Sequence, residues 1–238
     1  MFENFIFEQC VWASKYIEGI NMVITISRTY GSGGRVMGEK LAKLLGIKFY
    51  DRELIRMLSD ETGINEALFG ESDERLKESY FGTDTDWKNY SQPLRPSDKK
   101  YSSESNLFKL QAEMIKKVAD SEDCIIMGRC ADTILEGRDD VVRIFCHASH
   151  ENCVSRAMEV CGLGEKEIEK RIAEIDKYRE NYYRHFTGKN LHDSNNYDLC
   201  LNTGSMTVEE LADFVCVYVH ARKDKNYIKN LNVGNFNL

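Results

Sequence analysis

The amino-acid sequence predicts an α/β fold built around a five-stranded parallel sheet. Five short apolar runs have the length and β-branched character of buried strands, and helical patterns separate them, as in βαβ units. In addition, a loop with three glycines in four residues joins the first run to the first helical pattern. The five runs are Val23–Ser27, Ile47–Tyr50, Cys124–Met127, Val141–Cys146 and Leu199–Leu201.

The glycine loop after the first strand predicts a phosphate-binding site. Its glycines let backbone N–H groups turn toward a ligand, and the following helix N-terminus adds about half a positive charge. The loop nearly matches the P-loop pattern G-x-x-x-x-G-K-[ST], but Gly34 stands at the lysine position and Arg35 at the Ser/Thr position. We expect Arg35 to supply the missing cation, and Ser27 and Ser32 are the candidate hydroxyls for Mg²⁺. The predicted loop consists of Tyr30, Gly31, Ser32, Gly33, Gly34 and Arg35.

Two helical patterns have the clearest apolar faces. The first runs from Val36 to Leu45 and ends at Gly46, the residue type favoured just after a helix. Its expected buried face consists of Val36, Met37, Leu41, Leu44 and Leu45. The last begins at a capping box formed by Thr207 and Glu210. Its expected buried stripe consists of Val208, Leu211, Phe214, Val215, Tyr218 and Val219.

The chain divides into one domain, residues 22–222, with flanking segments. Residues 1–21 lack the basic start of a signal peptide, and we interpret them as an extension from a misplaced start codon. Residues 63–105 contain both prolines, many charges and no clear periodicity, which indicates either an insertion beside the site or a solvated surface excursion. Residues 223–238 form a tail rich in Asn and Lys.

Composition excludes several classes of protein. The formal net charge of −7 disfavours a nucleic-acid polymer as partner but leaves small phosphorylated ligands open. No apolar run approaches the ~20 residues of a membrane span. The eight cysteines show no C-x-x-C pair, so we expect buried free thiols and a cytoplasmic protein. The five histidines have neither triad nor zinc-ligand spacing, and we predict no metal site built from protein ligands alone.

Two more predicted strands end in polar residues at the carboxyl edge of the sheet, where ligands of parallel sheets bind. Gly128 and Arg129 follow the third strand, and Arg129 either holds a phosphate bidentately or pairs with nearby Asp132. Asp51 follows the second strand. It either holds a substrate hydroxyl, base or Mg²⁺-bound water, or it caps the next helix.

A long charged helical pattern from Glu165 to Thr187 predicts a lid, which we extend to residues 162–190. Arg171, Asp176 and Arg179 fall on one face of this helix, where they can reach a transferring phosphoryl group. The alternative is an ordinary solvated helix.

Taken together, residues 24–55, residues 125–135, the arginine-rich segment and residues 197–211 resemble the cytidylate kinase-like family of P-loop proteins. The resemblance covers the chain from about Met22 to Tyr218. It implies a three-layer P-loop NTPase-type fold with an acceptor-binding insertion and a helical lid over ATP. It also implies an enzyme that transfers phosphate from ATP, with Mg²⁺, to a nucleoside monophosphate such as CMP or dCMP.

The resemblance assigns roles to individual residues. The loop from Tyr30 to Arg35 is similar to the ATP phosphate loop, and Gly128 and Arg129 match a Gly-Arg-Asp motif in which Cys130 replaces the aspartate. Asp51 matches the start of a D-S-G-x-x-Y-R acceptor motif, although Arg52 and Glu53 replace Ser-Gly and Met57 stands at the arginine position. Asp176 and Arg179 match an R-x-x-x-D-x-x-R lid motif, whose first arginine, Arg171, is one position out of register. The catalytic candidates are Arg35, Arg171, Asp176 and Arg179, and the acceptor-binding candidates are Asp51, Arg56, Gly128, Arg129 and Asp132.

Two other functions remain open. The missing Lys-Ser/Thr pair allows a nucleotide-binding regulatory protein with little transfer activity. The altered acceptor motif near Asp51 allows a kinase for another small metabolite. The expected partners are small-molecule nucleotides, and the sequence does not indicate an oligomeric state.

Overall fold

The computed structural model describes residues 22–69 and 95–223. Its five strands are β1 (Val23–Arg28), β2 (Lys48–Tyr50), β3 (Cys124–Met127), β4 (Val141–His147) and β5 (Leu199–Asn202). They form one sheet with the order β2-β3-β1-β4-β5, in which every neighbouring pair is parallel. The fold class predicted from the sequence is therefore confirmed.

Helices cover both faces of this sheet. The α-helices are α1 (Gly34–Leu45), α2 (Glu53–Thr62), α3 (Glu104–Ser121), α4 (Ala131–Ile134), α5 (His150–Cys161), α6 (Glu165–Thr187) and α7 (Val208–Lys223). Alternate residues of β1 point to opposite faces. Val23 belongs to a core cluster with residues of α2, α3, α4 and the end of α6, whereas Ile24 belongs to a second cluster with residues of α1 and α7. The C-terminal part of α6 contributes Phe186, which stacks on Phe108 with 4.0 Å between ring centroids.

The predicted helix ends agree with the structure. Gly46 follows α1 in the left-handed conformation (φ 66°) and its N–H donates to the carbonyl of Ala42. Thr207 and Glu210 form the capping box of α7, with the Glu210 N–H 3.2 Å from the Thr207 hydroxyl. Both ends are encoded locally, which is why the sequence identifies them.

Two predicted core residues face solvent instead. Val36 in α1 is 50% exposed and Phe214 in α7 is 46% exposed. Neither residue lies on the face that the fold buries. In α1 that face consists of Gly34, Met37, Gly38, Leu41 and Ala42, and in α7 of Leu211, Ala212, Val215, Cys216, Val219 and His220. The buried faces include small residues that the pattern of large apolar side chains does not mark. The remaining members of both stripes are buried or half-buried.

Several predictions fall outside the described residues. These include the proposed N-terminal extension, residues 1–21, and the tail beyond Lys223. The central part of the proposed insertion, residues 70–94, is also outside them. Among residues 22–69 and 95–223, none of the helices is both long and apolar enough to span a membrane. Five of the seven cysteines in these ranges are buried, and all seven are free thiols.

Candidate phosphate-binding site

The glycine loop lies between β1 and α1 at the carboxyl edge of the sheet. Gly31 and Gly33 both adopt left-handed backbone conformations, with φ of 74° and 79°. A Cβ atom on Gly31 would lie 2.9 Å from the Cα of Cys153, so this position requires glycine. The first turn of α1 contains no acidic residue and no side-chain cap. These features suit a phosphate, because the helix N-terminus keeps its uncompensated positive end.

The loop is anchored from outside by Arg156 of α5. Its guanidinium donates to the carbonyl oxygen of Ser32 at 2.9 Å and to the hydroxyl and carbonyl oxygens of Thr203 at 3.1 and 2.7 Å. Thr203 follows β5 and its hydroxyl also donates to the Ser32 carbonyl. Arg156 therefore connects the loop to the far edge of the sheet, and the sequence contained no signal for this role.

Replacing Arg156 with Ala is expected to loosen this loop. Charge-assisted hydrogen bonds of this kind contribute about 2 kcal/mol to stability, and their loss leaves the Ser32 carbonyl with one donor fewer. We expect a lower free energy of unfolding in urea and a weaker affinity for ATP. Glu159→Ala, an exposed change on the same helix, serves as control. Equal stability of the Arg156 and Glu159 variants would contradict the anchoring role.

The two candidate hydroxyls for Mg²⁺ are already engaged. The Ser32 hydroxyl donates to the carbonyl of Thr29 at 2.9 Å, and Ser32 is only 1% exposed. Ser27 is 6% exposed and hydrogen-bonds to Tyr197. In the described part of the chain, no cluster of three or more His, Cys, Asp or Glu residues is arranged to hold a metal ion.

Arg35 and Asp51, assigned from the sequence to opposite substrates, lie together. The Nε of Arg35 is 3.3 Å from an Asp51 carboxylate oxygen and 3.1 Å from that of Glu39. The prediction that Asp51 caps the next helix is wrong, because α2 begins at Glu53 and its N-cap residue is Arg52, with no side-chain cap. Asp51 follows directly after β2, and at this position it contacts a charged group of the site, Arg35.

Three residues of α6 meet the loop at Tyr30. The backbone N–H of Tyr30 donates to the Asp176 carboxylate at 2.7 Å. Arg179 lies over the Tyr30 ring, 5.8 Å from its centroid, and donates to the Arg28 carbonyl at 3.3 Å. The side chain of Arg171 reaches the Tyr30 hydroxyl. The predicted common face of Arg171, Asp176 and Arg179 is therefore directed at the loop, and α6 is more than a solvated helix.

Burial changes the pKa of both Asp176 and Arg179. Burial raises the pKa of Asp176 above its ordinary value, although the hydrogen bond from the Tyr30 N–H and the charge of Arg179 act in the opposite direction. Burial also lowers the pKa of Arg179. The Asp176–Arg179 pair, at 3.4 Å, offsets part of both penalties. Further along α6, Tyr182, Tyr183 and Phe186 belong to the core. The N-terminal part of α6 packs Ile168 and Ile172 against α5.

The turn after β3 has an unusual backbone. Gly128, Arg129 and Cys130 are consecutive left-handed residues, with φ of 68°, 61° and 55°. For the two non-glycine residues this costs about 1–2 kcal/mol each, and such strain clusters at ligand-binding sites. The side-chain amide of Gln111 lies 3.5 Å from the Arg129 carbonyl, and the same amide donates to Tyr182 at 3.2 Å. The charge of Arg129 acts on Arg28, on which Asp51 also acts.

Two predicted acceptor residues lie away from this edge. Asp132 is 3% exposed, and its carboxylate accepts from the hydroxyls of Tyr183 at 2.6 Å and Thr133 at 3.3 Å. Burial raises its pKa above the ordinary range. Arg56 lies on the exposed face of α2, 3.9 Å from Glu53. The structure brings neither into contact with the glycine loop.

Sequence analysis missed Arg28, the last residue of β1. It lies among the charges of Arg35, Asp51, Arg129 and Arg179. A signal was present, because Arg28 follows a buried strand just as Arg129 does. The completed site thus combines a glycine loop, a helix N-terminus and several arginines at one edge of a parallel sheet.

This fold and site define an α/β protein with a glycine-rich loop at the carboxyl edge of a parallel sheet. The model of the cytidylate kinase-like family matches residues 23–205. The chain belongs to that family, as the sequence motifs indicated. None of the curated proteins compared with the chain matches it.

Solved structures share this architecture. An uncharacterized protein from Eubacterium ventriosum superposes with a TM-score of 0.62 at 23% identity, covering 84% of this chain and 99% of that one. A shikimate kinase from Bacteroides thetaiotaomicron gives a TM-score of 0.49 at 13% identity, covering 84% and 98%. At these identities the similarity concerns the fold alone.

Proposed function

We propose that this protein is an ATP- and Mg²⁺-dependent kinase that phosphorylates a nucleoside monophosphate, with CMP and dCMP as the first candidates. The observation that carries the proposal is the meeting of two elements at the carboxyl edge of the sheet. One is a glycine loop with an uncapped helix N-terminus, and the other is a group of arginines from β1, the turn after β3, and α6. Phosphoryl transfer depends mainly on positioning phosphates and stabilising negative charge, which such a site provides.

Each element has a proposed role. Residues 30–35 and the start of α1 hold the donor phosphates, and Arg129 grips the acceptor phosphate. Arg171 and Arg179 stabilise the transferring group, and Asp176 orients Arg179 across 3.4 Å. When bound, Mg²⁺ neutralises charge on the phosphates. Asp51 offers the carboxylate for a Mg²⁺-bound water, since this ion usually keeps several waters.

The free thiols and the nucleotide substrates suit the cytoplasm, where we place the enzyme. We further propose that residues 63–105 are an acceptor-binding insertion and that residues 162–190 are a lid, as the family resemblance implies.

A second candidate function is nucleotide binding with little transfer. It is favoured by Gly34, because a Cβ atom there would lie 2.8 Å from the Cβ of Cys146, so that the loop does not accommodate the usual lysine. A third, a kinase for another small metabolite, is favoured by the ion pair of Asp51 with Arg35, which changes the charge that the acceptor meets.

ADP release from ATP and Mg²⁺ separates these functions. It is measured without acceptor and with CMP, dCMP, UMP, AMP or GMP. We expect a rise with CMP or dCMP. ATP binding with no rise for any acceptor would contradict the nucleoside monophosphate kinase and favour the regulatory or other-metabolite function.

A further inference from the structure

Arg28 is a charged side chain without an acidic partner among residues 22–69 and 95–223. It ends β1, between β3 and β4 in the middle of the sheet, and is half-buried. Among the described residues, no carboxylate oxygen lies within ion-pair distance of its guanidinium. By contrast, Arg35 has Glu39 at 3.1 Å and Asp51 at 3.3 Å.

The side chain of Arg28 begins beside the position of the absent P-loop lysine. A Cβ atom added to Gly34 would lie 3.2 Å from the Cβ of Arg28 and 2.8 Å from that of Cys146. Both contacts are tighter than ordinary packing allows, so residue 34 cannot carry a side chain while Arg28 and Cys146 keep their places. The space in which a lysine at position 34 would start is therefore bordered by Arg28.

The other end of the Arg28 side chain lies over the turn after β3. A Cβ atom added to Gly128 would collide with the Nη1 atom of Arg28 and would lie 3.5 Å from its Cζ. Gly128 therefore leaves room for the guanidinium. Glycines at positions 34 and 128 thus flank the Arg28 side chain at its base and at its tip, although they lie on different parts of the chain.

The surroundings of Arg28 favour an anion. Arg35, Arg129 and Arg179 add positive charge near it, and Asp51 is the acidic group that acts on it in the opposite sense. Burial, followed by repulsion from Arg179, lowers the pKa of Arg28 to about 9. At neutral pH the side chain remains protonated, so the fold holds a cation that is poorly compensated, and a bound anion would relieve that penalty.

We propose that Arg28 is the residue that binds the donor polyphosphate in place of the P-loop lysine. This inference rests on the proposed function, and it assigns the cationic role to Arg28 rather than to Arg35. The ligand is the polyphosphate of a nucleoside triphosphate. A guanidinium binds phosphate oxygens through two parallel N–H groups, whereas an ammonium binds as a point charge. The glycines at positions 34 and 128 are then required by Arg28 and not only by the loop.

The test measures binding without any acceptor, using inorganic tripolyphosphate and ATP as probes. Isothermal titration calorimetry compares the wild type with Arg28→Met and Arg28→Lys. We expect Arg28→Met to weaken tripolyphosphate binding by about ten- to hundredfold, the range for hydrogen bonds to charged groups. Arg28→Lys should retain part of the affinity, since it keeps the charge but not the fork. Thermal unfolding without ligand should show Arg28→Met at least as stable as the wild type.

Arg143→Met is the matched control. Arg143 also lies in the sheet but pairs with Asp198 at 3.2 Å. Its loss should lower the unfolding temperature and leave tripolyphosphate affinity unchanged, the opposite pattern to Arg28→Met. If Arg28→Met does not fold, the reduced affinity of folded Arg28→Lys decides.

An unchanged affinity in the Arg28 variants, or no tripolyphosphate and ATP binding by the wild type, would overturn the inference. Its failure is distinguishable from that of the kinase proposal. Affinity that depends on Arg28 without phosphorylation of any acceptor supports the inference and contradicts the kinase. Phosphorylation of CMP with an unchanged affinity in Arg28→Met does the reverse.

Discussion

Replacement of Arg179 by Ala is expected to lower kcat for phosphoryl transfer by about 10²–10³-fold, the usual effect of removing one group that stabilises a developing charge. Arg179 is held over Tyr30 by its 3.3 Å bond to the Arg28 carbonyl and by Asp176. A guanidinium fixed in this way needs little reorganisation when charge develops on the transferring group. The measurement is steady-state ADP release at saturating ATP and acceptor.

Arg184→Ala provides the control for this change, because Arg184 is an exposed arginine on the same helix. It should leave kcat unchanged, and circular dichroism melts should show both variants folded. Arg179→Lys should recover only part of the rate, because an ammonium cannot make the two contacts of the guanidinium. A wild-type kcat in folded Arg179→Ala would remove Arg179 from the transfer step.

Replacement of Gly31 by Ala is expected to abolish measurable ATP binding and to lower the stability of the protein. The left-handed backbone at Gly31 costs a non-glycine residue about 1–2 kcal/mol. In addition, the new Cβ would meet the backbone of Cys153, with 2.9 Å to its Cα, and backbone atoms cannot move aside as a flexible side chain does. The loop would have to shift away from α5. ATP titration and urea unfolding measure the two effects.

Gly46→Ala separates the backbone cost from the collision. Gly46 has a similar φ of 66°, but a Cβ there meets no atom within 4 Å. This variant should lose stability by the backbone cost alone and should bind ATP as the wild type does. Equal loss of stability and equal ATP affinity in the two variants would show that the contact with Cys153 does not restrict the loop.

Gly31→Ala and Arg179→Ala test two parts of one site that depend on the sequence in different ways. Gly31 acts partly through a left-handed backbone conformation that the local sequence specifies and partly through its close contact with Cys153. Arg179 acts because α6 returns to the loop from a distant part of the chain. The 2.7 Å hydrogen bond between the Tyr30 N–H and Asp176 spans 146 positions in sequence. The spacing of Asp176 and Arg179 indicated a shared helix face, but it did not identify Tyr30 as their contact.

The acceptor candidates show which part of the site the sequence did not predict. Arg129 was found because an arginine at the end of a buried strand lies at the ligand-binding edge of a parallel sheet. The same rule applies to Arg28, which ends β1. Asp132 was also an acceptor candidate next to Arg129 in the chain, yet α4 turns it inward to Tyr183. Nearness in sequence did not determine which way the side chain pointed.

The sequence by itself determined the parallel sheet, the glycine loop and the helix ends, because strand length, helical periodicity, left-handed torsions and caps depend on residues close together in the chain. Only the tertiary structure decided the partners of the charged groups. Arg35 lies beside two carboxylates, and Arg156 anchors the glycine loop. Arg28 lies between two glycines and has no acidic partner among the described residues. These differences arise from electrostatic contacts and packing between segments that are far apart in sequence, which no local pattern records.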